Sequence, residues 1–111
     1  MASEYIIAYD AYMTTGSGGS VSVTFQITGT NVMDQIGATK ITLFENGAVV
    51  KTFQNTNYAG MLINNKNSNA GTLTYPGTAG KLYYASVILQ AGKGGAFDTR
   101  TKETASVTAR N

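Results

Sequence analysis

Serine- and cysteine-type hydrolysis needs a nucleophile beside a base. This chain of 111 residues contains no histidine and no cysteine. A Ser–Lys pair is the remaining route to an activated hydroxyl, but such a lysine must be desolvated, and the lysines here lie in polar, turn-like sequence. Glycoside cleavage needs two facing carboxylates. Glu4, Asp10, Asp34, Glu45, Asp98 and Glu103 are single and scattered, which reads as solvated surface charge. Calcium needs clustered oxygen ligands; the run Asn64-Asn65-Lys66-Asn67-Ser68-Asn69 offers amide oxygens but places a lysine where a carboxylate belongs, so it reads as a polar loop. No glycine-rich motif opens onto a helix to cradle phosphate, and there is no Asn-x-Ser/Thr acceptor. The expectation is a protein without catalytic residues, metal or cofactor, acting by contact.

Composition bounds what could make that contact. Charged residues are 13% of the chain, against roughly 25% in ordinary soluble domains. The polar surface must then come from Thr, Asn, Ser and Gly, which favours strands and turns over helices. Eight basic residues against six acidic ones give a net charge of +2, spread from Lys40 to Arg110, so nothing supports nucleic acid as a partner. No run of roughly 18 apolar residues suggests a membrane span. The length suits a single domain over residues 1–111. Met1-Ala2-Ser3 reads either as a native start or as the start left after a signal peptide is removed. The absence of Cys leaves the redox compartment open: it is either chance in a short chain or the mark of a bacterial exported protein built without thiols, and the second reading places the chain outside the cell or at its surface.

Period-two alternation marks the strands. Ile6 to Thr14 sets Ile7, Tyr9, Ala11 and Met13 against Ala8, Asp10, Tyr12 and Thr14. Ser20 to Thr28 alternates most cleanly, with Val21, Val23, Phe25 and Ile27 inward. Between Gly29 and Ala38 the pattern breaks; a single helical turn over Asn31–Gly37 is expected, with Met33 or Ile36 plugging the core. Thr39 to Glu45 and Ala48 to Phe53 flank Asn46-Gly47, the strongest short hairpin signal in the chain. Lys51 reads as an edge or solvent-facing residue. Gln54 to Asn69 lacks periodicity, and Met61-Leu62-Ile63 reads as a short strand or a loop anchor. Gly71 to Tyr75 is a short strand. Leu82 to Gln90 carries apolar residues on both faces, as a central strand does, and Gly92-Lys93-Gly94-Gly95 turns into a last strand within Thr99–Ala109. About seven short strands without a long helix imply an all-β, antiparallel two-sheet sandwich. Its expected core is Val21, Val23, Phe25, Ile27, Leu43, Leu73, Tyr83, Val87, Leu89 and Val107.

The segment Leu73, Pro76, Thr78, Tyr83, Ala85 and Val87 is similar to the fibronectin type III pattern, in which a Leu and a Pro-bearing turn precede a Tyr-x-aliphatic-x-aliphatic strand. The resemblance implies an immunoglobulin-like or fibronectin type III-like sandwich. It also implies that Tyr83 is the corner residue whose hydroxyl bonds backbone across a strand connection. The turn is longer than usual here, and the buried Trp of such modules and the paired Cys of antibody domains are both missing. The overall character also resembles small secreted bacterial domains of uncharacterised function.

If the Thr39–Glu45 strand neighbours Leu82–Gln90, as in the fibronectin arrangement, Phe44, Tyr84 and Ile88 point away from the core, flanked by Thr42 and Leu82. Such a patch either receives a partner or is covered by the Gln54–Asn69 segment or by the first strand through Tyr12. The functional expectation is a non-catalytic binding module whose partner is a protein or glycan, with a homodimer as one form of contact. The competing expectation is a structural assembly unit, such as a phage virion or surface-layer component.

Overall fold

The computed structural model describes residues 5–111; Met1-Ala2-Ser3 and Glu4 lie outside the described residues. Among the described residues, seven strands in chain order carry the fold: β1 (Ile6–Thr15), β2 (Ser20–Glu45), β3 (Ala48–Gln54), β4 (Leu62–Pro76), β5 (Leu82–Lys93), β6 (Ala96–Glu103) and β7 (Val107–Thr108). Every pairing between them is antiparallel. The structure is thus all-β, and hydrogen bonding links the strands into one continuous sheet, curled into a half-barrel, where two separate sheets were expected.

Continuity comes from β2, which runs through both halves. Its first part, residues 20–28, lies between β1 and the end of β4. Its last part, residues 35–45, lies between β5 on one side and the start of β4 and β3 on the other. β6 extends the sheet beyond β5, and β7 adds two residues there. Where the start of the chain and β1 approach β6, side chains of β6 make the contacts. The Tyr5 amide donates to Asp98 Oδ2 at 2.9 Å, and Lys102 Nζ stands 3.9 Å from Asp10 Oδ1.

The expected helical turn over Asn31–Gly37 does not form; the chain stays extended there. Its broken alternation comes from two shifts of register within β2, between Thr28 and Met33 against β4 and between Ala38 and Lys40 against β5. An extra residue moves every later side chain to the opposite face. Ile36 and Ala38 accordingly face the core between the two shifts, and Ile41 and Leu43 after the second; Met33, just past the first shift and three residues from Ile36, is buried as well although strict alternation would place it on the other face. Both candidate core plugs, Met33 and Ile36, are buried. Gly37 closes the bend at φ 150°, where a Cβ would stand 1.9 Å from the Met61 carbonyl oxygen.

Elsewhere the alternation carries through with local corrections. Val21, Val23, Phe25 and Ile27 are buried, as are Tyr83, Ala85, Val87 and Leu89; Leu73 and Val107 are only half-buried at the margin of the core. In β1 a bulge between Ile6 and Ala8 turns Ile6 inward and leaves Ile7 65% exposed, reversing the expected sides at that end, and Tyr9 also remains exposed. β4 begins at Leu62 and is far longer than Gly71–Tyr75, with Met61 buried just before it. The last expected strand divides at Thr104, which turns inward. Its amide donates to the Ala85 carbonyl at 2.8 Å and its hydroxyl accepts from the Ala85 amide at 3.0 Å. Both polar groups of this buried residue are thereby satisfied.

Candidate functional site

Asn46-Gly47 sets the geometry of the candidate face. With φ of 48° and 89° these two residues make the tight turn that returns β3 beside the end of β2, and the Leu82 amide donates to Asn46 Oδ1 at 3.0 Å, tying the turn to β5. Glu45 then lies opposite Tyr83, and Phe44 opposite Tyr84. Successive residues of a strand point to opposite faces. One pair therefore faces the core and the next faces away from it.

The core-side pair is a hydrogen-bonded corner. Tyr83 has no exposed surface; its hydroxyl donates to Glu45 Oε2 at 2.5 Å and accepts from the Thr78 amide at 2.8 Å. Desolvation, followed by the bond to the Glu45 carboxylate, raises the phenol above its usual pKa. Gly77 packs against this hydroxyl, and a Cβ there would lie 2.8 Å from it. Glu45, expected as solvated surface charge, is a half-buried acceptor instead. Only the cross-strand register brings it to Tyr83.

On the outer face the Phe44 and Tyr84 rings stack, with centroids 4.7 Å apart and planes 10° from parallel. Leu82, 43% exposed, lies two residues before Tyr84 on the same face. Val49, which the sequence reading omitted, sits directly opposite Phe44 and is 57% exposed. Its signal was the tight Asn46-Gly47 turn, which brings β3 back beside Phe44. Thr42 pairs with Ser86, and that polar pair separates the aromatic cluster from Ile88, which stands opposite Lys40. Phe44, Val49, Leu82 and Tyr84 thus form one cluster, Thr42 borders it and Ile88 is set apart.

The segment expected as a cover lies elsewhere. Tyr58 packs edge-on against Phe53, centroids 5.1 Å apart, on the core side. Lys51 also lies toward that side, its ammonium 5.6 Å from the Phe53 ring and 5.9 Å from the Tyr58 ring. Tyr12 belongs to β1, which pairs with the other half of β2.

Among the described residues no three His, Cys, Asp or Glu side chains gather to hold a metal ion, and no helix is long and apolar enough to cross a membrane. The scattered carboxylates have structural partners: Asp34 Oδ2 accepts from the Gly94 amide at 2.8 Å, and Asp98 accepts from Tyr5. The fold and this face define an all-β antiparallel module with a small aromatic cluster at one end of its outer surface. The chain matches no family model, no curated protein and no solved structure.

Proposed function

We propose that this chain is a non-catalytic binding module of the fibronectin type III-like or immunoglobulin-like kind, acting outside the cell and contacting a protein through the Phe44, Val49, Leu82 and Tyr84 cluster, with Thr42 at its border. The observation that carries this reading is the stacked Phe44–Tyr84 pair on the face opposite the core. Exposed apolar residues grouped around aromatic side chains are what protein interfaces use at their centres. Stacking also occupies one face of each ring. The other face of each ring is not taken up by that stack, but the apolar Val49 and Leu82 beside the rings suit a protein better than a glycan, whose hydroxyls need hydrogen-bonding partners.

The sandwich reading has support in two neighbour sets: β1, the first part of β2 and β4 in one, and β3, the last part of β2, β5 and β6 in the other. The shortest dimension, 19 Å, accommodates two backbone layers about 10 Å apart. The Tyr83 hydroxyl, held by a backbone amide five residues upstream, matches the corner role that the resemblance implies. The extracellular or cell-surface setting is part of this proposal and draws on the thiol-free, charge-poor character of the chain. The second reading, a structural assembly unit, draws on the uncharged free edge of β4; tail, capsid or surface-layer genes beside this one would favour it.

The test is binding of the purified protein to arrays of extracellular proteins and of glycans, compared with the double variant Phe44→Ser/Tyr84→Ser. A protein signal that falls at least about tenfold in the variant, with cooperative unfolding retained, is the expected result. Unchanged binding, or loss of cooperative unfolding, would remove the cluster from the function.

A further inference from the structure

Among the described residues, and apart from the two-residue β7, four strands leave an edge of the sheet without a hydrogen-bonded neighbour, and three of them carry a feature that discourages further pairing. β1 and β6 face each other through Asp98 and the Asp10–Lys102 contact, and β6 also bears Arg100 and Glu103. β3 is seven residues long, with Val50 as an extra residue at its register shift against β2 and the Lys51 ammonium over its core side. β4 differs. It spans fifteen residues, pairs with β2 alone, and from Asn67 to Tyr75 carries no charge. Its register against β2 is regular from Ser68 to Pro76. A long, regular, uncharged edge is a template for another strand.

The side chains of β4 specify which strand. Asn69, Gly71, Leu73 and Tyr75 lie on the core side, opposite Ile27, Phe25, Val23 and Val21. Gly71 is the low point, because the Phe25 ring occupies the place a Cβ would take, 2.8 Å away. Beside it opens a cleft of about 150 Å³ lined in part by Phe25, Met61, Gly71 and Leu73. The knob and the hole are two residues apart on one strand, and a two-fold axis makes such an arrangement mutual.

We infer that β4 pairs antiparallel with β4 of a second copy of this chain, with Thr72 on the two-fold axis. In that register Leu73 lies opposite the partner's Gly71 and reaches the cleft beside it, Tyr75 lies opposite the partner's Asn69, and exposed Thr72 faces the partner's Thr72 on the outer side. No like charges meet along the paired run. The contact continues the sheet from one copy into the next and leaves the Phe44–Tyr84 cluster uncovered, so it stands or falls independently of the proposed binding face.

Residue 72 meets itself only in this register, which makes the test specific. Light scattering after size exclusion, from micromolar to millimolar chain, should show a concentration-dependent dimer for the native sequence. Thr72→Lys or Thr72→Glu alone places like charges face to face and should weaken the dimer by up to about fivefold. An equimolar mixture of the two variants should restore it as a heterodimer. Phe44→Ser/Tyr84→Ser should dimerise as the native chain does. A strict monomer, a dimer indifferent to charge at position 72, a mixture that fails to re-form, or a dimer lost in the Phe44/Tyr84 variant each overturns the inference.

Discussion

Replacing Tyr83 by Phe removes one oxygen from the best-buried polar group in the sheet and leaves the ring, with its packing against Tyr75, in place. Two hydrogen bonds disappear: the short donation to Glu45 at 2.5 Å and the acceptance from the Thr78 amide at 2.8 Å. A bond to a charged acceptor contributes about 1.5–3 kcal/mol, with the upper end reserved for groups that water cannot reach. Glu45 is half-buried and Thr78 exposed, so both recover part of their hydration. The expected loss is therefore about 2 kcal/mol, or roughly 9 °C in Tm for a chain of this length. Urea unfolding followed by circular dichroism measures it.

The same hydroxyl sets the sign of the alkaline response. Its pKa is raised in the folded state, so the folded chain holds this proton more tightly than the unfolded one. The stabilisation is complete below the unfolded phenol value near 10 and is lost as pH rises from there through the folded value, at up to about 1.4 kcal/mol per pH unit. Tyr83→Phe should lack this part of the alkaline slope. A loss below about 0.5 kcal/mol with an unchanged slope would refute the assignment of the corner as a stabilising group.

Two other positions test the fold. Gly37→Ala places a methyl 1.9 Å from a backbone oxygen at a positive φ, and should cost more than about 4 kcal/mol or abolish folding, read as lost cooperativity in a thermal melt. Met33→Ala empties a fully buried site at the bend of β2 and should lower unfolding free energy in urea by about 2–5 kcal/mol.

What was legible in the chain was whatever repeats every two residues or sits in a two-residue turn. Val21 to Ile27, Tyr83 to Leu89 and the Asn46-Gly47 turn needed only local rules. The bend of β2 was not legible because a bulge is set by the partner strand: nothing in Thr39 announces that β5 will slip by one residue opposite it. The helical turn expected over Asn31–Gly37 was the cheapest local explanation of a broken period, and tertiary pairing with β4 and β5 outweighed it. Phe44 and Tyr84 could be placed on one face because each lies within a regular run. Val49 escaped although the two-residue turn alone sets it opposite Phe44; the register shift between Leu43 and Phe44 lies beyond that pair. Glu45 escaped because its acceptor role exists only across a strand pair.

The corner and the outer cluster are consecutive pairs on the same two strands, and this couples them. If β5 slipped by one residue against β2, Tyr84 would turn toward the core and Tyr83 outward. The Tyr83–Glu45 bond opposes that slip because it exists only when Glu45 lies opposite Tyr83, and the tie between Asn46 and Leu82 holds the adjoining turn in the same register. The buried hydroxyl therefore fixes the position of the half-buried aromatic pair on the outer face without touching it. Nuclear Overhauser contacts between the Phe44 and Tyr84 rings should weaken in Tyr83→Phe. In Phe44→Ser/Tyr84→Ser, by contrast, the alkaline slope assigned to Tyr83 should persist, since the core-side pair keeps every partner. Retention of the full ring contacts in Tyr83→Phe would mean that the turn alone sets the register, and the corner would then be a matter of stability only.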